Sequence, residues 1–386
     1  MEERIAYFDN AATSFPKPEV VYRFADEFYR RYGVNVGRGQ YEAASKAAAL
    51  VEETRNLILS LYGCPNKQVV FTASATEALN KILLGLDMPA HPTVYVSPFE
   101  HNSVTRVLHA TKSTRALDIR ILPFDEITLE FDSDSAKTEF DRHRPDYVVA
   151  THASNVCGAV LPIEKIFGLS KEYHAVTVAD MSQTAGLLGL DLSTTAIDYA
   201  VFAGHKSLLG PFGIGGFICS TEAQLTPVLY GGTGFDSLNQ DTPTTLRERM
   251  EVGSPNIHAI SGLNAALRWI GEKVIERISG SEKKNAEKLL ETLRSHKNVS
   301  LVANEMTCER IGVVSARFDY YSPDEIGRLL SERNVAVRTG LHCSPYAHDF
   351  LKTSPSGTVR FSVSCLTDDK SFEDLEKALS DIEDNG

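Results

Sequence analysis

The sequence predicts an α/β architecture, with a larger domain around a mixed, mostly parallel sheet and a smaller α+β domain towards the C-terminus. Three observations lead there. Short β-rich runs alternate with helical stretches between residues 60 and 220, as in a doubly wound sheet. Polar, reactive side chains follow the runs, at the edge where such sheets bind ligands. The pattern changes after about residue 256, so the expected division is 14–256 for the larger domain and 1–13 with 257–386 for the smaller.

The expected strands of the larger domain are Gln68–Thr72, Thr93–Ser97, Asp118–Leu122, Tyr147–Thr151, Val176–Ala179, Tyr199–Ala203 and Gly215–Cys219. Helices are expected between them. Ala43–Tyr62 is rich in Ala, Leu and Glu, and Thr76–Leu86 follows the first strand directly. Gly231–Thr245 is turn-rich and reads as an ordered loop. One long helix is expected over His258–His296, then strands at Val299–Ala303 and Gly312–Phe318 and a helix from Pro323. A strand at Val335–Arg338 leads into a loop bearing Gly, His and Cys. Thr358–Val363 is a last strand, and Ser371–Ile382 an acidic amphipathic helix.

Composition narrows the function classes. The 386 residues are 42% hydrophobic and 23% charged, ordinary for a globular protein. Acidic residues exceed basic ones, 51 to 39, for a net charge of −12, which would repel nucleic acid or an anionic membrane. Neither a spanning apolar segment nor a signal-peptide start at Met1-Glu2-Glu3-Arg4 is visible, so a soluble cytoplasmic protein is expected. The six cysteines lack C-x-x-C or zinc-ligand spacing, and each reads first as a reduced, mostly buried thiol.

The residues after the strands carry chemistry together rather than singly. Lys206 would ordinarily be a solvated lysine, but it follows an apolar strand and precedes a Gly-rich turn. A partly desolvated lysine forms Schiff bases readily. Asp180 would ordinarily cap a turn or helix. At a neighbouring strand end it can instead keep a pyridine nitrogen protonated, as pyridoxal phosphate chemistry requires. Ala73-Ser74-Ala75-Thr76-Glu77 opens a helix, whose free N–H groups attract an anion; its plain alternative is a Ser/Thr cap. His101 can stack on a flat ring, and Asn155 can donate to a phenolic oxygen. For each alone a structural hydrogen bond is the commoner fate.

Together these segments resemble the fold-type I pyridoxal phosphate enzymes of the class V aminotransferase group, and within it the cysteine desulfurases. The resembling stretch runs from Tyr7-Phe8-Asp9-Asn10-Ala11-Ala12-Thr13 to Gly357-Thr358-Val359-Arg360-Phe361-Ser362. Its most specific parts are Thr151-His152-Ala153-Ser154-Asn155-Val156-Cys157-Gly158, Ala179-Asp180-Met181-Ser182-Gln183, Gly204-His205-Lys206 and Arg338-Thr339-Gly340-Leu341-His342-Cys343. The resemblance implies that Lys206 carries the cofactor as a Schiff base. It implies that Asp180 bonds the pyridine nitrogen, Gln183 meets the phenolic oxygen, His101 stacks on the ring and Asn155 lies on the substrate side. Thr76, beside Ala75, and His205 match phosphate contacts. Ser254, in Gly253-Ser254-Pro255, matches a residue that reaches the partner subunit's phosphate, which implies a homodimer.

By the same resemblance Cys343 becomes the nucleophile that takes sulfur from the substrate, flanked by the cationic Arg338 and His342 in a loop made mobile by Gly340. Arg360 matches the anchor of the substrate α-carboxylate, with Arg338 beside it. The spacing Arg-x-Gly-x-His-Cys is similar to the group II desulfurases. The implied activity is conversion of L-cysteine to L-alanine with a persulfide on Cys343, L-selenocysteine being a further candidate substrate and a protein a candidate sulfur acceptor. Alternatives are an aminotransferase, racemase or β-lyase with Cys343 incidental and, last, a non-catalytic scaffold. The chain departs from the pattern at Ala203 and Ala75, which lack expected hydroxyls, and at Leu341, where a polar residue is frequent.

Overall fold

Runs of β-branched and aromatic residues form a parallel sheet only when both of its faces are covered. The computed structural model describes residues 4–36, 39–232, 238 and 240–384. The chain opens with β1 (Ala6–Tyr7), α1 (Glu19–Tyr32) and α2 (Glu42–Leu61). There follow β2 (Lys67–Thr72), α3 (Ala75–Gly85), β3 (Thr93–Val96), α4 (Asn102–Lys112), β4 (Asp118–Ile121), α5 (Ser133–Arg142) and β5 (Tyr147–Thr151). Next come α6 (Ile163–Glu172), β6 (Val176–Asp180), β7 (Tyr199–Ala203), β8 (Gly215–Ser220) and α7 (Leu246–Met250). The remainder is α8 (Ile257–Lys273), α9 (Ile275–Ser295), β9 (Val299–Leu301), β10 (Val313–Phe318), α10 (Pro323–Ser331), β11 (Val335–Ala336), β12 (Arg338–Gly340), α11 (Pro345–Phe350), β13 (Thr358–Ser362) and α12 (Asp369–Asp384).

Among the described residues the large sheet has seven strands in the order β2-β8-β7-β6-β5-β3-β4. All pairs are parallel except those of β8, which runs against β2 and β7. Alternate side chains enter different cores, as the period-two pleat demands. Val148, Ala150, Ala200 and Phe202 pack beneath α2, α5, α6 and α8. Tyr147, Val149, Tyr199 and Val201 pack under α3 and α4. All seven strands expected from sequence are present, to within a residue at either end.

A second body is built on the antiparallel sheet β12-β13-β10-β9. Its own core joins Val314, Phe318 and Phe361 to Leu289 of α9, Leu330 of α10 and Leu375 of α12. The N-terminus belongs to this neighbourhood, because β1 pairs parallel with β11 and Asp9 bridges to Ser362.

Two expectations need correction. The single helix over His258–His296 is two, broken at Val274, whose φ is +65°. The break lets α8 pack against α1 and α2 while α9 joins the other core. The strand Val335–Arg338 likewise divides, β11 pairing with β1 and β12 with β13. Val337 is the switch between two sheets, which period-two patterning cannot reveal. Of Gly231–Thr245, residues 233–237 and 239 lie outside the described residues, as do residues 1–3 at the N-terminus.

Candidate active site

The carboxyl ends of the parallel strands open into a cleft of about 230 Å³, and every predicted site residue except Ser254 lines it. Adjacent strands bring Asp180 and Lys206 to one place. Asp180 ends β6 opposite Val201 of β7, and Lys206 follows β7 after Gly204 and His205. Burial pushes the Lys206 ammonium down to about 8, against the pull of Asp180 and with repulsion from Arg360 and Arg338. The Asp180 carboxylate is oriented by its own turn, Oδ1 accepting from Ser182 N at 2.9 Å and Ser182 Oγ at 2.5 Å. The ordinary turn-capping role therefore holds alongside any functional one.

His101 caps α4, Nδ1 accepting from Ser103 N at 3.1 Å with Ser103 Oγ at 2.8 Å. Burial, aided by Lys206, pushes its pKa down to about 4, so the ring is neutral at pH 7. Ser74 caps α3, its Oγ accepting from Glu77 N at 3.2 Å, and Glu77 in return accepts from Ala73 N. Ala75 and Thr76 of the first turn of α3 lie on the cleft wall, where N–H groups have no intrahelical acceptor. Gly215 of β8 makes this approach possible: a Cβ there would lie 2.7 Å from Ser74 C and 2.8 Å from Ala75 N. Sequence reading passed over it, though a Gly-Gly pair inside a strand signals close backbone approach.

His205 stacks on Phe212 with centroids 4.6 Å apart, and burial holds its pKa near 4. Its Nδ1 is buried with no partner among the described residues. An orphaned imidazole nitrogen beside open helix N–H groups is suited to an anion. Gln183 donates Nε2 to Ala11 O at 3.0 Å, leaving its oxygen available. The donor set thus fits pyridoxal phosphate: a lysine for the aldehyde, a carboxylate for the ring nitrogen, a neutral imidazole at the wall and donors for the phosphate.

Cys343 sits on a loop that is more tightly held than the sequence suggests. His342 and Cys343 both adopt left-handed backbone, φ +47° and +60°, which is uncommon for non-glycine residues. Asn102 N donates to Cys343 O at 2.7 Å, and Asn155 Nδ2 donates to His342 O at 2.8 Å. Ser344 Oγ donates to Asn155 Oδ1 at 2.7 Å, so both ends of the Asn155 amide grip this loop. Arg338 Nη2 lies 3.4 Å from Cys343 Sγ. His342 is not a second cation. Its Nε2 meets Thr358 Oγ1 at 2.8 Å, and burial, with Arg360 beside it, pushes its pKa down to about 2.

Arg360 on β13 pairs across the strands with Arg338 on β12. It is 1% exposed, donating Nη1 to Asn155 O at 3.0 Å and Nη2 to Asp9 Oδ1 at 2.6 Å. Asp9 was missed as a site residue, and its only sequence signal was membership of the N-terminal resembling segment. Ser254 lies outside the cleft, exposed, accepting from Asn35 Nδ2 at 3.4 Å.

Comparison with known proteins agrees with this geometry. Residues 6–375 match the family described as aminotransferase class-V. A "Probable cysteine desulfurase" of Aeropyrum pernix is 30% identical, covering 99% of this chain and 95% of the relative. An apo cysteine desulfurase structure from Thermococcus onnurineus superposes with a TM-score of 0.90 at 27% identity, covering 99% and 95% of the two chains. A C-DES variant with glycine covalently linked to its PLP cofactor shares the fold, with a TM-score of 0.82, 22% identity and coverage of 98% and 97%.

Proposed function

The chain belongs to the class V aminotransferase family, in the branch that holds the cysteine desulfurases, and from that premise we propose that it converts L-cysteine to L-alanine, Cys343 taking the sulfur as a persulfide. Lys206, Asp180, Gln183, His101 and the α3 N-terminus with Thr76 and His205 would hold pyridoxal phosphate. When bound, that group supplies the electron sink that weakens bonds at the substrate's Cα and Cβ. Arg360 would bind the substrate α-carboxylate, and Lys206 would move the proton at Cα. Cys343 Sγ attacks the substrate sulfur, so that the S–S bond forms as the Cβ–S bond breaks and the electron pair stays with carbon to be protonated. L-cysteine and one thiol become L-alanine and one persulfide, so atoms and electrons balance.

The observation that carries this reading is the placement of Cys343 and Lys206 on one cleft, with Arg338 Nη2 3.4 Å from the Cys343 sulfur. The test is alanine and sulfide release from L-cysteine under reducing conditions, with Cys343→Ala alongside. Loss of both products in the variant is expected. Equal activity in the two proteins would make Cys343 incidental and return the site to lyase or transaminase chemistry. L-selenocysteine is the further substrate of the same proposal. A homodimer is supported by the exposure of Ser254, and an external sulfur acceptor by Leu341, 37% exposed beside the loop. A division into two bodies is supported by the separate sheets and cores, with α8 packed on the larger body and the changeover at Val274. No helix among the described residues is long and apolar enough to cross a membrane.

A further inference from the structure

Arg360 and Lys206 must grip one small molecule from two different sheets. An amino acid's carboxylate and amine share a single carbon, so their two receptors need a separation held to within about 0.5 Å. No common ladder provides it: Lys206 follows β7 of the large sheet, and Arg360 lies on β13 of the antiparallel sheet, each with its own core. We infer that the segment Asp9–Lys17 is the positioning element that ties the two together, with Asp9 and Thr13 as its working ends. This rests on the proposed roles of Arg360 and Lys206.

One end is fastened to the arginine. Asp9 Oδ1 accepts from Arg360 Nη2 at 2.6 Å and is the carboxylate paired with this buried guanidinium. The same segment is laced to the arginine's strand, Asn10 Nδ2 donating to Ser362 O at 3.0 Å and Ala11 N to Ser362 Oγ at 2.8 Å. In the middle, Ala11 O takes the Gln183 amide. The other end converges on a single acceptor, the carbonyl of His205, which belongs to the peptide joining His205 to Lys206. Thr13 Oγ1 donates to it at 2.9 Å, Ser14 N at 3.2 Å and Lys17 Nζ at 3.1 Å, with Ser14 Oγ at 3.3 Å. A carbonyl oxygen offers two lone pairs, so this one is saturated and its peptide plane is locked. That plane sets the direction in which the Lys206 side chain leaves the backbone.

The experiment uses holoenzyme carrying Thr13→Val, Thr13→Ser or Asp9→Asn. Three quantities are read: the pH titration of the lysine-bound cofactor absorbance, the Kd for L-alanine, and kcat and KM for L-cysteine. Thr13→Val is expected to shift the absorbance titration and lower kcat about tenfold, with Thr13→Ser restoring both because it keeps the hydroxyl. Asp9→Asn is expected to raise KM and the L-alanine Kd about tenfold or more, with kcat within threefold of the parent. The double variant Asp9→Asn/Thr13→Val should lose less than the product of the single losses, because the segment acts as one unit. A lower melting temperature with an unmoved titration and unchanged KM would overturn the inference and leave the segment merely structural, as would strictly multiplicative losses. Should the wild type release no alanine from L-cysteine, the desulfurase reading fails. The absorbance titration and L-alanine binding would still judge the segment.

Discussion

Glu100 gives the most direct test of how burial governs this site. It is fully buried between β3 and α4, Oε1 accepting from Ser97 Oγ at 2.5 Å and Thr151 N at 2.7 Å, while Oε2 has no partner among the described residues. Burial, with the Ser97 and Thr151 bonds opposing and Asp180 adding repulsion, pushes its pKa up from 4.5 to about 8. Between those values the folded chain keeps a proton that the unfolded chain has released. Stability therefore falls as pH rises through the window. At 1.36 kcal/mol per unit, the loss between pH 5 and pH 7 is about 2–3 kcal/mol. Glu100→Gln preserves the Oε1 acceptor and cannot ionise, so it should match the parent near pH 5 and exceed it by that amount at pH 7. Equilibrium urea unfolding of both proteins at each pH measures the difference, since all other titrating groups cancel. Parallel pH profiles for parent and variant would refute the reasoning, because they would mean that Glu100 ionises alike in the folded and unfolded chain.

Three other outcomes follow from the cleft. Gly215→Ala should push the first turn of α3 away from β8 and weaken cofactor retention about tenfold, read as the dissociation rate of the lysine-bound chromophore; the clash is with backbone, which cannot rotate aside. Arg360→Lys should raise KM for L-cysteine roughly 10–100-fold, because an ammonium cannot reproduce the planar fork held between Asp9 and Asn155. Arg338→Ala should lower desulfuration of L-cysteine about three- to tenfold while leaving the cofactor absorbance intact, since it removes the Nη2 donor that meets the Cys343 sulfur at 3.4 Å.

The strands were legible because their chemistry is local. Tyr147–Thr151 and Tyr199–Ala203 are buried along their whole length, and only uninterrupted apolar β-formers satisfy that environment. The break at Val274 was not legible, because Lys273-Val274-Ile275 contains neither Gly nor Pro and the bend is imposed by two cores pulling α8 and α9 apart. His342 was misread as a cation for a related reason: its charge state depends on neighbours such as Arg360, His348 and Thr358, which only folding assembles.

By itself the sequence determined the fold class, the order of the large sheet's strands along the chain and the side chains standing at their ends. These follow from residue type and spacing, and strand ends in a doubly wound sheet converge wherever the loops go. Tertiary structure alone decided what each of those side chains is free to do. It turned the Asn155 amide onto the Cys343 loop, left His205 Nδ1 without a partner among the described residues and moved Ser254 to the surface. It also brought Asp9 to Arg360 across 351 positions of chain. Such pairings depend on how two separately cored sheets dock, and local sequence carries no record of that distance.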